Sequence, residues 1–149
     1  MFICLGNACR SPMAEAIARR IGGDVIEASS AGLTPLGRVE AMTQRTLLKN
    51  GYSTDGLTSK PVLSAELEAA DLVVNMSGRP GNVAFDKAAE VEHWNVEDPY
   101  GADAEIYQRI FEDIEKRVAG LADRLRKKRP NRPMSRNIKG KGAGGQRGQ

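Results

Sequence analysis

The chain has 149 residues, of which 40% are hydrophobic, 28% charged and 5% aromatic. A chain of that size buries enough surface for one domain without a disulfide framework, and two cysteines with one histidine make a poor zinc set, so no structural metal and no cofactor is expected. No apolar run approaches the length of a membrane span, and the apolar start Met1-Phe2-Ile3-Cys4-Leu5 is broken at Asn7 and Arg10 with no small-residue cleavage site behind it, so a cytoplasmic, reducing location is the expectation.

In chain order, Phe2 to Leu5 reads as a first strand. Pro12 to Ile21 reads as a helix with proline at its first position and Met13, Ile17 and Ile21 on one face. Asp24 to Ala28 fits a second strand, and Arg38 to Asn50 a helix stopped by Asn50-Gly51. Ser64 caps a short Glu- and Ala-rich helix, after which Asp71 to Met76 and Val91 to Trp94 are buried-strand segments. From the cap Asp103, the residues Ile106, Ile110, Ile114, Val118, Leu121 and Leu125 mark one face of a long last helix that ends before Pro130. Met13, Met42 and Met76 read as core, and His93 as a packing partner of Trp94. Short apolar runs alternating with helical spacing predict an α/β domain with a largely parallel sheet.

The formal charge of +3 is unevenly spread. From Lys127 on there are eight basic residues and no acidic one, which leaves about −5 on the first 126 residues. That end is rich in Gly, Pro, Asn and Gln and has little to bury, so 128–149 is expected to be a disordered basic tail behind a domain at 1–127. Such a tail is either a solubilising extension or an electrostatic arm for RNA, an anionic membrane or the protein's own acidic body.

The chemistry is concentrated where the first strand meets the first helix. Cys4-Leu5-Gly6-Asn7-Ala8-Cys9-Arg10-Ser11-Pro12 puts a cysteine at a strand's carboxyl end, then a glycine-containing loop, then an arginine at a helix start. Open α/β sheets bind ligands there. Converging backbone N–H groups and the helix N-terminus suit a tetrahedral oxyanion such as phosphate, and the same field favours a thiolate at Cys4. The planar fork of Arg10 can hold two equatorial oxygens, which a lysine cannot copy. Cys4 and Cys9 also share one tight loop; a reversible disulfide between them and a buried, inert Cys9 are both open readings.

Cys4 to Pro12 resembles the signature loop of the low-molecular-weight protein tyrosine phosphatases and of the arsenate reductases that share their fold. The resemblance continues through Ser30-Ala31-Gly32, Ala70-Asp71-Leu72-Val73-Val74 and Asp98-Pro99-Tyr100, and covers about residues 1 to 127. It implies a single three-layer α/β domain with a central, mainly four-stranded parallel sheet. It also implies that Cys4 is the nucleophile that forms phosphocysteine, that Arg10 and the amides from Leu5 through Gly6, Asn7, Ala8 and Cys9 hold the oxyanion, and that Asp98 is the general acid and then the base. Ser11 would bond the Cys4 sulfur, Asn7 would hold the strained loop, and Tyr100 would flank the ring of a phosphotyrosine protein or a small aryl phosphate. The chain departs from the phosphatase pattern in having Gly101 after Tyr100 and Leu33-Thr34-Pro35-Leu36 after Ser-Ala-Gly, which makes the pocket less aromatic. Only three residues precede Cys4, so an earlier start with a fuller first strand is a further expectation.

The alternative is arsenate reduction. Glu92-His93-Trp94 ahead of Asp98-Pro99 looks more like the reductases, but Ser77 stands where the thioredoxin-coupled members carry a relay cysteine, and no cysteine follows it. A reductase built on this chain would therefore draw on a small-molecule thiol. A binding module that holds phosphate or sulfate without turnover would have no need of Cys4, Arg10 and Asp98 together.

Overall fold

The computed structural model describes residues 1–80 and 85–129. Of the basic tail expected at 128–149, Lys128 is still in the last helix and Arg129 caps it, and the remainder, from residue 130 on, lies outside the described residues. Along the chain run β1 (Phe2–Cys4), α1 (Arg10–Ile21), β2 (Ser30–Gly32), α2 (Ala41–Lys49), α3 (Ser64–Ala69), β3 (Val73–Asn75), β4 (Val91–His93) and α4 (Ala104–Lys128). The four strands form one parallel sheet in the order β2-β1-β3-β4, so β1 is central and its carboxyl end opens between two crossovers.

Alternation along the strands divides the core. Phe2 and Cys4 face one side with Val74 and Met76, where they meet Met13 and Ile17 of α1, Leu47 of α2, and Tyr107, Ile110, Ile114 and Val118 of α4. Ile3 and Val73 face the other side, under Leu67 of α3 and Phe85. Two helical layers around the sheet result, as expected. The apolar stripe of α4 is the one the spacing predicted, and the Asp103 carboxylate accepts from the Ile106 amide at 3.0 Å as its cap.

Several boundaries differ. The second strand is Ser30–Gly32 and not Asp24 to Ala28: the amides of Val25 and Ile26 turn back onto the Gly22 carbonyl, and Asp24 is held by Arg126 and Arg129. Three small residues instead run beside β1, because the chain there passes against the loop that follows it. Helix α1 begins at Arg10, two residues before Pro12, since Met13 already bonds the Cys9 carbonyl. Helix α2 begins at Ala41, with Glu40 extended before it. Ser64 is the first residue of α3 and not its cap; Leu63 holds that position without a side-chain bond. His93 is exposed and bonded through Nδ1 to Asn75, while Trp94 packs on Phe2. Met42 is only partly buried, in contrast to Met13 and Met76.

Candidate active site

The loop from Cys4 to Arg10 is pinned from outside by its carbonyls. Cys4 O accepts from Leu33 N at 3.2 Å, Leu5 O from Thr34 N at 2.8 Å, and Gly6 O from Leu36 N and Ser59 Oγ, both at 3.0 Å. Ala8 O accepts from Glu40 N at 3.0 Å and Thr43 Oγ1 at 2.9 Å. A planar peptide puts its N–H opposite its C=O. Each carbonyl bonded to a neighbouring segment therefore turns the next amide, that of Leu5, Gly6, Asn7 or Cys9, away from that segment. Binding of an oxyanion in a cradle here would require amides arranged in this way.

Two residues make that curvature possible. Asn7 adopts a left-handed backbone at φ 48°. Its side chain holds the turn by donating to Ser11 Oγ at 2.8 Å and Ser30 Oγ at 3.0 Å while accepting from Lys60 N at 2.9 Å. Gly32 leaves the room: a Cβ there would lie 2.9 Å from Asn7 N, Asn7 Cβ and Leu5 O. The Ser-Ala-Gly motif thus supplies a partner for Asn7 and a bare backbone beside the loop.

Cys4 and Arg10 converge on the cradle. Cys4 Sγ lies 3.0 Å from Ser11 Oγ and 3.4 Å from Ser11 N. Arg10 is 7% exposed. Its Nη1 donates to Met76 O at 2.6 Å and Val96 O at 3.1 Å, at the ends of β3 and β4, which fixes the plane of the guanidinium. Nη2 is 3.6 Å from Asp98 Oδ2, and Nε is buried without a partner among the described residues. A buried cationic donor left unpaired is costly, and an oxyanion in the cradle is the natural acceptor for it.

The remaining predicted residues form a rim. The Asp98 side chain is 48% exposed, and its Oδ1 accepts from Tyr100 N at 3.1 Å, so the Asp-Pro-Tyr turn aims the carboxylate back over Arg10. Tyr100 and Leu36 are both more than half exposed; the Leu36 side chain lies against Gly6 on the opposite lip. Cys9 faces away from the rim, its Sγ 3.1 Å from Tyr107 Oη, and burial pushes its thiol pKa up. Both cysteines are free. Among the described residues no group of three metal-ligating side chains occurs, and no helix is long and apolar enough to cross a membrane.

Sequence reasoning did not find Thr43 and Tyr107, which anchor Ala8 and Cys9, nor Glu15, which is buried behind Ser30. Glu15 stands four residues before Arg19, a spacing that reads as a solvated helix pair, so the pattern held no signal for it.

Comparison with known proteins agrees with this geometry. The family model described as low molecular weight phosphotyrosine protein phosphatase matches residues 1–131. Arsenate reductase 1 of Staphylococcus epidermidis is 33% identical over 126 residues, covering 83% of this chain and 95% of its own. The protein-arginine-phosphatase of Bacillus subtilis is 31% identical over 147 residues, covering 87% and 97%. Among solved structures, an arsenate reductase in the phosphate binding state superposes with a TM-score of 0.75 at 29% identity, covering 84% of this chain and 96% of that one. An arginine phosphatase with a phosphorylated active-site serine superposes with a TM-score of 0.77 at 27% identity, covering 86% and 95%. With a parallel four-stranded sheet, a Cys-x5-Arg loop at the end of its central strand and a family match from the first residue to 131, the chain belongs to the low-molecular-weight phosphotyrosine protein phosphatase family.

Proposed function

We propose that the protein is a cysteine-dependent enzyme acting on a tetrahedral oxyanion, and that it reduces arsenate with electrons from a small-molecule thiol. The observation that carries the chemistry is the buried, unpartnered Nε of Arg10 beside an amide cradle that also holds Cys4. Two features favour arsenate over a phosphotyrosine side chain. Relatives at 32 to 33% identity from Bacillus cereus and Staphylococcus epidermidis carry the name arsenate reductase. The rim residues Leu36 and Tyr100 are more than half exposed, so neither is packed in place as a wall for an aromatic ring.

In this reading the Cys4 thiolate attacks arsenic, and the departing oxygen takes a proton from Asp98 and leaves as water. An external thiolate then attacks the Cys4 sulfur. An S–S bond forms, the S–As bond breaks, and its electron pair stays on arsenic, which leaves as arsenite. A second thiol cleaves the mixed disulfide and restores Cys4, so two thiols are oxidised per arsenate. The chain's two cysteines both lie in the loop, which is why the electrons come from outside.

Phosphomonoester hydrolysis is the second reading, and a specific contact favours it. Asp98 is 3.6 Å from Arg10, at the edge of the cradle, where a leaving alkoxide, phenolate or guanidine would depart. The Bacillus subtilis relative named for protein-arginine phosphatase activity adds to that case. The substrate would then be a phosphoprotein or a small aryl phosphate. Arsenate-dependent oxidation of glutathione or mycothiol, measured beside hydrolysis of an aryl phosphate, separates the two. The reductase reading expects two thiols oxidised per arsenate, slow phosphate ester turnover, and loss of both activities in Cys4→Ser. Fast ester hydrolysis without thiol oxidation would overturn it in favour of the phosphatase.

A further inference from the structure

Between the carboxyl ends of β3 and β4 lies a cleft of about 400 Å³ that no step above uses. Arg10 closes one side of it. Its Nη1 donates to the carbonyls of Met76 and Val96, two residues of the cleft wall, while Nε and Nη2 are left for the cradle. Cleft and cradle thus lie on two edges of one guanidinium. Asn75, 2% exposed, holds another side. Its Oδ1 accepts from the Ser77 amide at 2.9 Å and the Ser77 hydroxyl at 2.6 Å, which fixes the orientation of the side chain, because a backbone N–H can only donate. Nδ2 then donates to Arg79 O at 2.8 Å and to His93 Nδ1 at 3.0 Å. The Ser77 hydroxyl in turn accepts from Arg79 N at 3.1 Å, with Gly78 left-handed at φ 80° between them. An imidazole nitrogen that accepts carries no proton, so the proton of the neutral His93 ring is on Nε2.

One buried amide therefore sets a guanidinium and an imidazole with a free N–H into the wall of the same cleft. The lining includes no acidic residue, and no carboxylate among the described residues pairs with the exposed Arg79. An unpaired guanidinium beside a cavity of ligand size marks a site for an anion. The inorganic oxyanion already has the cradle, so the cleft suits a larger molecule whose carboxylate meets Arg79 and His93 while its other end reaches past Arg10. We propose that this cleft binds the thiol co-substrate, and that the thiol is one that carries carboxylates, as glutathione does. The proposal rests on the reductase reading and names its electron donor by charge. The step it serves is the one described there: the held thiolate attacks the Cys4 sulfur, an S–S bond forms, the S–As bond breaks, and its electron pair leaves with arsenite. Holding the carboxylate makes that encounter a positioned one, and the planar fork of Arg79 can meet it with two parallel bonds, which a lysine cannot.

The test uses the full chain and two readouts, with melting temperature as a check that the exposed Arg79 is replaced without loss of the fold. Calorimetry with S-methylglutathione, which keeps the carboxylates and cannot attack sulfur, should show one site, and Arg79→Gln should weaken it about tenfold. No binding, or equal binding by wild type and Arg79→Gln, overturns the inference whichever oxyanion the enzyme turns over. Arsenate-dependent oxidation of glutathione is then compared with that of 2-mercaptoethanol, which has no carboxylate. Wild type should prefer glutathione in kcat/KM, and that preference should drop about tenfold in Arg79→Gln, through KM for glutathione and not through kcat. Equal losses with both thiols overturn the inference, because they place Arg79 in the support of Cys4 and not in a thiol site. Oxidation of 2-mercaptoethanol with no preference for glutathione in wild type also overturns it, and leaves the reductase reading standing. Arsenate left unreduced with either thiol overturns the reductase reading and this role of the cleft together.

Discussion

Replacing Arg10 by lysine keeps the charge and removes the fork. The guanidinium donates Nη1 to Met76 O and Val96 O and keeps Nε and Nη2 for the cradle side. A single ammonium cannot serve both sets. If it follows the carbonyls, the oxyanion loses both of its donors; if it follows the oxyanion, one donor is lost and two buried carbonyls go unpaired. Hydrogen bonds to charged groups contribute about 1.5 to 3 kcal/mol each, so two of them amount to about 3 to 6 kcal/mol in the transition state. That corresponds to roughly 10² to 10⁴-fold in kcat/KM. The assay is arsenate-dependent thiol oxidation and aryl phosphate hydrolysis in parallel, on protein whose melting temperature shows that the fold persists. Both activities should fall together, since both use the same oxygens. An Arg10→Lys enzyme within fivefold of wild type would refute the assignment of Nε and Nη2 to the oxyanion, and would reduce Arg10 to a tie between β3 and β4.

Asp98→Asn keeps the bond from Tyr100 N and removes the proton, so aryl phosphate hydrolysis should drop about 10²-fold or more, while Cys4 alkylation persists; an unchanged rate would exclude Asp98 as the acid. Gly32→Ala places a methyl 2.9 Å from backbone atoms of Leu5 and Asn7, where nothing flexible can yield, and should cost about 1 to 3 kcal/mol in denaturant unfolding along with activity. Asp24 has its carboxyl pKa lowered from 3.8 to about 2, chiefly by the bond from Arg126. A depressed carboxyl stabilises the fold above its unfolded pKa and stops doing so as pH falls through the folded one. Melting temperature should therefore decline between about pH 4 and pH 2, and Asp24→Asn should flatten that part of the curve, by a small amount because the side chain is half exposed.

How much of this could be read in advance depended on whether a feature was local. The loop was legible because its chemistry is carried by contiguous residues: Cys4, Gly6, Asn7, Arg10 and Ser11 declare a cradle wherever a strand meets a helix. Helix α4 was legible because its stripe of Ile, Val and Leu has the helical period over about five turns, and Asp103 closes its start. The second strand was misplaced for the opposite reason. Val25 and Ile26 have the composition of a strand but are turned by Gly22-Gly23, whereas Ser30-Ala31-Gly32 has little strand propensity and is a strand because β1 and Asn7 require small neighbours there.

The site's supports show the same division on a finer scale. Asp98 lies 88 residues from Arg10 in sequence, and alone it reads as a turn; only the resemblance to a family suggested the 3.6 Å contact that the fold makes. Glu15 gave no signal at all, since its spacing to Arg19 is that of an ordinary solvent-exposed pair. The fold instead buries it behind Ser30, whose hydroxyl donates to Glu15 and accepts from Asn7 Nδ2. A sequence states which groups are available to donate or accept; which of them meet is settled only when the chain has folded. That is why Cys4 and Arg10 could be proposed from the sequence by their residue types and spacing, and Asp98 by resemblance, while the contacts of Glu15, Ser30 and Asn7 belong to the fold alone.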